Sequence, residues 1–352
     1  MAYSSEDAKG NWAVIVTKFD RDDPTAGLEL VKRPIPSPKA GEALVRILYR
    51  PINPSDIFAL QGQYAGFQPQ LPAVPGLEGM GVIEEVGASV RAVLARFTQG
   101  MKQGQRVVGA PWPSAEGEGT WQQYVVVKVD NLFPVRSEVS NEDASQFFVN
   151  PCTVVGMVHE LQPPAGSWLL QNAANSVLGQ EIITYAKHLG IKTINVVRQN
   201  EYINELKQKG ADVVLNSNEV DIVQEVRKTT GGKMAWGALN PIGGPKSKAF
   251  PSSVRTHGTV EVYSLIGEEV LVPMSDLVWR DIHVKGFWLN VWLDSLPSHV
   301  REKKLKETMD MMAEKVLAPP PPSAKYPLVD VKKAVSDAQR KSGREGKVLL
   351  EG

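Results

Sequence analysis

The sequence predicts an α/β fold in which a β-rich first part is followed by strands that alternate with helices. Short apolar runs separated by Gly and Pro clusters occupy residues 11–130, which is typical of a partly open β-barrel. From Trp168 onward, apolar runs alternate with stretches of helical periodicity, as a parallel sheet requires. The chain has 352 residues, enough for about two domains.

The short runs of the first part are apolar or alternate in polarity. They predict strands at Trp12–Thr17, Glu42–Tyr49, Met80–Val86, Arg106–Ala110 and Tyr124–Val129. A helical stretch is then predicted over Asn141–His159. These elements make up the predicted first domain, residues 1–150.

The segment that organises the second part consists of a strand, a turn, a helix and a strand. Trp168–Gln171 is a short apolar run that predicts a buried strand, and Asn172–Leu178 is rich in small and turn-forming residues. Apolar residues recur at helical spacing over Gln180–His188, and β-branched residues at Thr193–Val197 predict the next strand. Such a βαβ unit is the dinucleotide-binding half of a Rossmann sheet, with the pyrophosphate at the helix N-terminus.

The turn after the first of these strands lacks the full G-x-G-x-x-G fingerprint. Gly179 matches its third glycine, and Ala173, Ala174 and Ser176 are small residues before it. Arg198 stands at the end of the second strand, where an NAD enzyme carries the acidic residue that binds the ribose 2′-hydroxyl. Because a guanidinium suits a 2′-phosphate, the sequence favours NADPH as the cofactor; the alternative is an ordinary surface arginine.

Further elements continue this alternation, and the chain then returns to the first domain. They are predicted at Ala211–Leu215, Asp221–Thr229, Met234–Leu239, Pro251–Val254, Thr259–Tyr263, His283–Phe287 and Glu302–Val316. Pro319–Pro322 is a stiff extended spacer, after which Val329–Gln339 and Lys347–Leu350 predict a helix and a final strand. Residues 318–352 therefore complete the first domain, and residues 151–317 form an inserted nucleotide-binding domain.

Composition limits the classes of partner and compartment. Lys and Arg together number 39, and so do Asp and Glu, so we expect no nucleic-acid partner and no binding to an anionic membrane. No apolar run reaches the roughly 20 residues of a membrane span. One cysteine indicates a reducing compartment, and Met1–Gly10 has neither a signal core nor an arginine-rich amphipathic pattern. The predicted location is cytoplasmic as written, or mitochondrial if a transit peptide was removed.

The order of the domains and a series of short motifs resemble a known family. The motifs are Asn53-Pro54-Ser55-Asp56-Ile57, Gln61-Gly62-Gln63-Tyr64, Leu71-Pro72-Ala73-Val74-Pro75-Gly76, Asn150-Pro151-Cys152-Thr153, Gln171-Asn172-Ala173-Ala174-Asn175-Ser176, Ile194-Asn195-Val196-Val197-Arg198, Ala238-Leu239-Asn240 with Gly243-Gly244, and Gly286-Phe287-Trp288-Leu289. Together they resemble the zinc-free mitochondrial trans-2-enoyl-thioester reductases of the medium-chain dehydrogenase/reductase superfamily, over nearly the whole chain. The resemblance implies a GroES-like β-barrel catalytic domain plus a Rossmann doubly wound parallel-sheet domain.

The resemblance also implies roles for individual residues. Tyr64 is the implied catalytic proton donor, and Asn53, Phe287 and Trp288 are the implied substrate-binding residues. The implied cofactor-binding residues are Asn150, Thr153, Asn172, Ala174, Asn175, Ser176, Val177, Leu178, Arg198 and Tyr263. By residue type alone, Tyr64 would be a packed aromatic on a loop, Asn53 a turn residue before a proline, and Trp288 a buried aromatic at a strand end.

A metal centre is not expected. Zinc-dependent members of the superfamily carry a Cys and a His where this chain has Asn53 and Leu77. Because Cys152 is the single thiol, neither a Cys-ligated catalytic site nor a Cys₄ structural site can be assembled. The histidines lack the spacing of metal ligands: His159, His188, His257, His283 and His299.

Without a metal, the implied reaction is hydride transfer supported by positioning and a proton donor. Reduction of an α,β-unsaturated thioester places hydride on Cβ, develops an enolate at the carbonyl oxygen and requires a proton at Cα. A phenol with an ordinary pKa near 10 stays protonated at neutral pH, which suits the role implied for Tyr64. The expected substrate is an enoyl-CoA or enoyl-acyl-carrier protein in fatty-acid synthesis, and a homodimer is the family expectation.

Two other functions stay open at this stage. A quinone or enone reductase shares the zinc-free scaffold and the hydride donor, and a non-catalytic NADPH-binding protein shares the nucleotide fold. The motifs around Tyr64 and Trp288 favour the thioester reductase. Comparable turnover of quinones would indicate the first alternative instead.

Overall fold

The computed structural model of the chain describes residues 10–87, 101–340 and 346–352. Its strands are β1 (Asn11–Val16), β2 (Leu28–Arg33), β3 (Glu42–Ile52), β4 (Met80–Val86), β5 (Arg106–Gly109), β6 (Tyr124–Lys128), β7 (Leu132–Pro134), β8 (Trp168–Gln171), β9 (Lys192–Val197), β10 (Val213–Asn216), β11 (Ala235–Gly244), β12 (Val254–Val270), β13 (His283–Gly286), β14 (Ala324–Pro327) and β15 (Val348–Glu351). Its helices are α1 (Pro54–Leu60), α2 (Asn141–Ala144), α3 (Asn150–Leu161), α4 (Val177–His188), α5 (Glu201–Lys209), α6 (Ile222–Thr229), α7 (Ala249–Ser253), α8 (Met274–Arg280), α9 (Leu289–Ser295), α10 (Ser298–Ala313) and α11 (Val331–Ala338). None of the helices in these described ranges is both long and apolar enough to cross a membrane.

Contacts between residues divide the described chain into two compact units. The first unit takes in Met1–Val149, Leu305–Glu314 and Pro319–Gly352, and the second unit takes in Asn150–Lys304 and Lys315–Ala318. Each unit has its own sheet and its own buried apolar clusters. The chain therefore leaves the first unit after its β-rich part and returns to it near the C-terminus.

The first unit is built on a sheet with β3 at its centre. The strand order is β14-β15-β3-β4-β5-β7, and β6 also pairs with β3. Every pair in this sheet is antiparallel except β14 with β15. Alternate residues of β3, namely Ala43, Val45 and Ile47, are buried in one core with Ile83 and Val107. These residues share one face of the strand, as the two-residue period of a strand requires.

A second apolar core of the first unit joins the two ends of the chain. The same buried cluster contains Val14 on β1, Leu350 on β15, and Trp121, which precedes β6. β1 pairs with β2, and an isolated bridge joins Ala13 to Gln122. The C-terminal strand therefore completes a core that the N-terminal strand begins.

The second unit contains a six-stranded parallel sheet of order β10-β9-β8-β11-β12-β13. The register pairs Leu170 with Ile194 and with Ala238, and it pairs Ala238 with Val260. These four residues are fully buried in one core. The order is that of a doubly wound Rossmann sheet, which binds ligands at the carboxyl ends of its strands where the order reverses. The predicted fold class is confirmed.

The helical stretch predicted over Asn141–His159 forms two helices, α2 and α3. Ser140 caps α2, since its side chain accepts a hydrogen bond from Asp143 N at 3.0 Å. α3 has Pro151 in its first turn. A proline lacks the N–H that a helix interior needs and is tolerated only in the first turn, so no helix runs continuously through Pro151.

Two predicted elements differ near β12. Pro251–Val254 does not form an element of its own, because its residues end α7 and begin β12. β12 extends well beyond the predicted Thr259–Tyr263, since its last residues pair with β11 as far as Gly244. An apolar pattern indicates where a strand is buried, but it does not show how far the neighbouring strand continues to pair.

The second half of α10 also differs from the expectation. Leu305–Glu314 groups with the first unit by its contacts, although it lies within residues 151–317, which were predicted as the inserted domain. Asp310 forms an ion pair with Arg136 Nη2 at 3.1 Å, and Leu305 and Met309 are buried. Helical periodicity indicates that one face of a helix is buried, but it does not indicate which unit buries it.

Candidate functional site

The turn between β8 and α4 allows the backbone to approach a ligand closely. Ala173 has φ +52°, in the left-handed region, and Ser176 caps α4 by accepting a hydrogen bond from Gly179 N at 3.0 Å. A Cβ at Gly179 would lie 2.7 Å from Ala173 O, so this position requires glycine. α4 begins with Val177 and Leu178, and the first N–H groups of a helix have no intrahelical partner. The turn can therefore hold an anion such as a pyrophosphate.

Asn240, on β11, is a candidate that the sequence analysis did not assign to the site. It is fully buried, and its Oδ1 accepts hydrogen bonds from Asn172 Nδ2 at 3.1 Å and from Ile242 N at 3.3 Å. Its Nδ2 is buried without a hydrogen-bond partner among the described residues. Buried donors are nearly always paired, so a ligand is the expected partner of this amide. A polar residue in an otherwise apolar parallel strand was the signal that could have identified it.

Tyr263, on the neighbouring strand β12, presents a second unpaired group. Its hydroxyl is buried with no hydrogen-bond partner in the part of the chain that the structure describes, and this burial raises the pKa of its phenol. Leu239 pairs with Gln171, the last residue of β8, and Asn240 pairs with Val262, so both groups lie level with the carboxyl end of β8. Because a doubly wound sheet binds dinucleotides at this edge, these residues fit a nicotinamide cofactor.

Arg198 follows β9, whose neighbour in the sheet is β8. It is exposed, and its backbone oxygen accepts a hydrogen bond from Asn218 Nδ2 at 2.8 Å. Because β8 and β9 are adjacent and parallel, Arg198 and the turn after β8 lie at the same edge of the sheet. We call Asn172–Leu178, Arg198, Asn240 and Tyr263 together the nucleotide crevice.

The other predicted cofactor residues are mostly buried. Ala174 N donates to Val196 O at 3.2 Å, and the backbone oxygen of Asn175 accepts from Gln180 Nε2 at 3.0 Å. Asn150 and Thr153 lie in the first turns of α3 with little exposed surface. Their contacts with a cofactor stay predictions.

The first unit holds a buried polar cluster around Glu78, which precedes β4. Its Oε1 accepts from Val149 N at 2.6 Å, its Oε2 accepts from Asn53 Nδ2 at 3.1 Å, and Lys347 Nζ lies 3.6 Å from Oε2. A carboxylate can only accept, so the amide nitrogen of Asn53 faces Glu78. The Oδ1 of Asn53 is buried without a partner among the described residues. We call Asn53, Asp56, Glu78, Val149 and Lys347 the Glu78 cluster.

Asp56 links this cluster to the start of α1. Asn53 occupies the N-cap position, Pro54 follows it at the first helical position, and Asp56 is the third residue of the helix, an arrangement that favours helix initiation. Asp56 Oδ2 accepts from Asn53 N at 2.8 Å and its Oδ1 accepts from Leu77 N at 3.1 Å. Complete burial, with a smaller contribution from the Glu78 carboxylate, raises the pKa of Asp56 to about 7 against the effect of these hydrogen bonds.

Tyr64 lies in the loop that follows α1. It is half-buried and packs against a small apolar cluster that contains Ala59 and Phe67. Its backbone oxygen accepts hydrogen bonds from Phe67 N at 3.0 Å and from Gln68 Nε2 at 3.1 Å. Local hydrogen bonds therefore order the loop that carries Tyr64, and its role as a proton donor stays a prediction.

The two aromatic residues predicted to bind substrate have different environments. Phe287 is 6 % exposed; its ring centroid lies 6.1 Å from that of Trp292, and a Cβ at Gly156 would meet its Cζ at 2.6 Å. Trp288 immediately precedes α9 and is 37 % exposed. Phe287 is therefore largely enclosed, whereas Trp288 has exposed ring surface, and their roles in substrate binding stay predictions.

Matches to known families cover both units. Residues 39–137 match the alcohol dehydrogenase GroES-like domain, and residues 177–313 match the zinc-binding dehydrogenase family. The chain is 34 % identical over 328 residues to the mitochondrial enoyl-[acyl-carrier-protein] reductase of Xenopus tropicalis, which covers 90 % of this chain and 89 % of the relative. The chain belongs to the medium-chain dehydrogenase/reductase superfamily.

Solved structures extend this likeness. A putative NADPH:quinone reductase from Bacillus thuringiensis is 29 % identical to this medium-chain reductase, with a TM-score of 0.87 over 97 % of this chain and 99 % of the other. The Escherichia coli quinone oxidoreductase complexed with NADPH has the same fold at 22 % identity, with a TM-score of 0.81 over 97 % of this chain and 100 % of the other. The predicted superfamily and the reductase class are confirmed. The relative from Xenopus tropicalis is named for an enoyl-acyl-carrier-protein substrate, whereas the two solved structures are named for quinones.

One of the matched families is named for zinc, but the residues of this medium-chain reductase do not fit a zinc ion. Leu77 is apolar, and the amide of Asn53 is bound to Glu78, whose carboxylate already faces the ammonium of Lys347. Zinc in proteins is bound by thiolate, imidazole or carboxylate ligands, which this set does not supply in sufficient number. Among the described residues, no group of three or more His, Cys, Asp and Glu is arranged to hold a metal ion.

Proposed function

We propose that this medium-chain reductase uses NADPH to reduce trans-2-enoyl thioesters, carried on coenzyme A or an acyl-carrier protein, to acyl thioesters. The observation that carries the proposal is the 34 % identity, over 328 residues, to a reductase named for an enoyl-acyl-carrier protein. The nucleotide crevice supports the cofactor part, because its unpaired buried groups and Arg198 suit a dinucleotide that bears a 2′-phosphate.

NADPH, when bound, supplies the hydride that adds to Cβ of the substrate. The turn before α4 holds the pyrophosphate, and Arg198 holds the 2′-phosphate. Tyr64 delivers the proton to Cα, a contribution of about 10²–10⁴ in rate for a positioned acid. Asn53 offers the thioester carbonyl the second N–H of the amide nitrogen that already binds Glu78. Trp288 lines the acyl chain with its exposed ring surface.

A quinone or enone reductase is the second candidate. It is supported by the 29 % identity and the TM-score of 0.87 to the Bacillus thuringiensis protein. The nucleotide crevice would serve both reactions equally. The tyrosine motif favours the thioester, because reduction of a quinone places protons on oxygen and needs no donor directed at a carbon atom.

Oxidation of NADPH with trans-2-enoyl-CoA and, in parallel, with a quinone tests the proposal. We expect rapid oxidation with the thioester, slow oxidation with the quinone, and a large loss of thioester turnover in Tyr64→Phe with unchanged NADPH binding. Faster oxidation with the quinone would favour the second candidate. A protein that binds NADPH and oxidises it with neither substrate would be the non-catalytic alternative.

We further propose that the chain forms a homodimer through the edge of its parallel sheet. Helix α8, which leads to the edge strand β13, exposes Met274 at 79 % and Trp279 at 82 %. Exposed apolar surface beside an unpaired strand edge is the kind of surface that a second copy covers. Trp279→Glu should convert a dimer into a monomer in sedimentation velocity, and an unaltered sedimentation coefficient contradicts this contact.

The relatives named as mitochondrial support mitochondrial fatty-acid synthesis as the setting.

A further inference from the structure

Lys246 follows β11 but binds a loop on the other side of the nucleotide crevice. It lies in the short turn Pro245–Lys248, and its Nζ donates to Ser217 O at 3.0 Å and to Asn218 Oδ1 at 2.5 Å. Ser217 and Asn218 follow β10, and the sheet order is β10-β9-β8-β11. The Lys246 ammonium therefore joins the turn after β11 to the loop after β10, although β8 and β9 lie between these two strands in the sheet.

The carboxyl ends of β8 and β9 are the place where the adenosine half of the cofactor is expected. The pyrophosphate belongs at the helix N-terminus after β8, and the ribose 2′-substituent belongs at the residue after β9, which is Arg198. Asn218 connects this arginine to the lysine, because its Nδ2 donates to Arg198 O at 2.8 Å while its Oδ1 accepts from Lys246. One amide side chain thus separates the ammonium from the residue expected to bind the phosphate.

We propose that Lys246 is a second cation for the adenosine 2′-phosphate and, with Arg198, a determinant of the preference for NADPH over NADH. The inference rests on the proposed use of NADPH. The present acceptors of the ammonium are two neutral oxygens, a carbonyl and an amide. A phosphate monoester carries about −1.5 to −2 charges at pH 7, and hydrogen bonds between ions are roughly twice as strong as neutral ones. The ammonium therefore leaves Ser217 and Asn218 when the 2′-phosphate binds.

The charges around this position explain why a second cation is needed. Glu219 lies in the same loop, and its Oε1 accepts a hydrogen bond from Asn200 Nδ2. Asn200 in turn accepts from Asn216 Nδ2 at 2.8 Å, which ties this carboxylate to the loops after β9 and β10. A carboxylate in this loop offsets part of the attraction that Arg198 offers a phosphate. The ammonium of Lys246 restores a net positive charge at the subsite.

Calorimetric titration of the intact protein with 2′,5′-ADP and with 5′-AMP tests this role without any reaction. The two ligands differ by the 2′-phosphate alone. In Lys246→Met, binding of 2′,5′-ADP should weaken about tenfold or more, the value of one charged hydrogen bond, while binding of 5′-AMP stays unchanged. Lys246→Arg should retain most of the affinity. Lys248→Met is the matched control, because it removes the same charge from the same turn.

Equal weakening of both ligands in Lys246→Met would overturn the inference, because the lysine would then only order the loops. A loss in Lys248→Met as large as that in Lys246→Met would also overturn it, because only the general charge of the surface would matter. If the unaltered protein does not prefer 2′,5′-ADP, the inference and the NADPH part of the proposed function fail together. If Lys246 sets that preference but enoyl thioesters are not reduced, the proposed function fails alone.

Discussion

The Glu78 cluster and the nucleotide crevice are both polar, but they differ in how their hydrogen bonds are completed. In the cluster, the carboxylates of Asp56 and Glu78 accept from main-chain and amide N–H groups, and Lys347 supplies the opposite charge at 3.6 Å, although its Nζ has no hydrogen-bond partner among the described residues. In the crevice, Asn240 Nδ2 and Tyr263 Oη are buried without partners among the described residues. Because buried polar groups are normally paired, we expect a bound ligand to be the partner of these two groups.

This difference separates the effects expected from mutations in the two regions. A change in the Glu78 cluster should alter the free energy of unfolding, because it leaves a buried charge or polar group unpaired. A change in the crevice should alter ligand affinity and have little effect on stability. Asn53 belongs to the cluster, but a change there should affect ligand binding as well as stability. Its amide nitrogen is held by Glu78, while its Oδ1 is buried without a partner among the described residues.

The largest expected effect is that of Lys347→Met. The ammonium is buried 3.6 Å from a carboxylate that is 1 % exposed, and its loss leaves that charge without its cation. Breaking a buried ion pair costs about 3–5 kcal/mol, so the free energy of unfolding from urea titrations should fall by about that amount. Affinity for 2′,5′-ADP should not change in the folded variant.

Lys325→Met is the control for this prediction. Lys325 also faces a carboxylate, that of Glu142, but its side chain is 41 % exposed. An exposed pair contributes about 0–1 kcal/mol, so this variant should be almost as stable as the unaltered protein. Equal losses in the two variants would contradict the distinction between a buried and an exposed lysine.

The next effect is a dependence of stability on pH that Asp56 produces. Its pKa is about 7 in the folded protein against an ordinary value of 3.8, so the folded state binds a proton that the unfolded state releases. Protonation of Asp56 stabilises the folded state fully below about pH 4, and this contribution is lost as the pH rises to about 7. The free energy of unfolding should fall by up to about 4 kcal/mol over that range.

Asp56→Asn removes this titration and tests it. As the pH rises from about 4 to about 7, the unaltered protein should lose stability relative to Asp56→Asn. Above that range, the difference between their unfolding free energies should be constant. Urea titrations at a series of pH values measure it. A difference that is the same at every pH would show that Asp56 does not titrate in this range.

A smaller effect is expected in the crevice for Arg198→Ala. Loss of a charged hydrogen bond to the 2′-phosphate should weaken NADPH binding by about 1.5–3 kcal/mol and leave NADH binding nearly unchanged. Fluorescence titration with each cofactor measures both affinities, and the melting temperature without ligand should stay the same. Equal losses for the two cofactors would contradict the assignment of Arg198 to the phosphate.

Local signals in the sequence were sufficient for the fold and for one end of the crevice. The strands β8 and β9, the turn between them and Arg198 lie within about 30 residues of one another, the length of a βαβ unit. The start of α1 was equally accessible, because Asn53, Pro54 and Asp56 stand at the capping positions of a helix.

Contacts between distant residues were not accessible in the same way. Lys347 meets Glu78 only because β15 pairs with β3, and Asn240 meets Asn172 only because β11 pairs with β8. Neither a charge nor an amide indicates its partner in the sequence when that partner lies on another strand. Phe287 was predicted beside Trp288 as a substrate residue, and its packing against Trp292 was equally inaccessible from the sequence.

The most direct test of the central claim follows a deuterium label from the cofactor into the product. NADPH that carries deuterium at the transferred position is incubated with trans-2-enoyl-CoA, and the acyl-CoA product is analysed by mass spectrometry. We expect one deuterium at Cβ, and in heavy water one further deuterium at Cα, with little product from Tyr64→Phe. A product without label at Cβ, or no product while a quinone is reduced, would contradict the account.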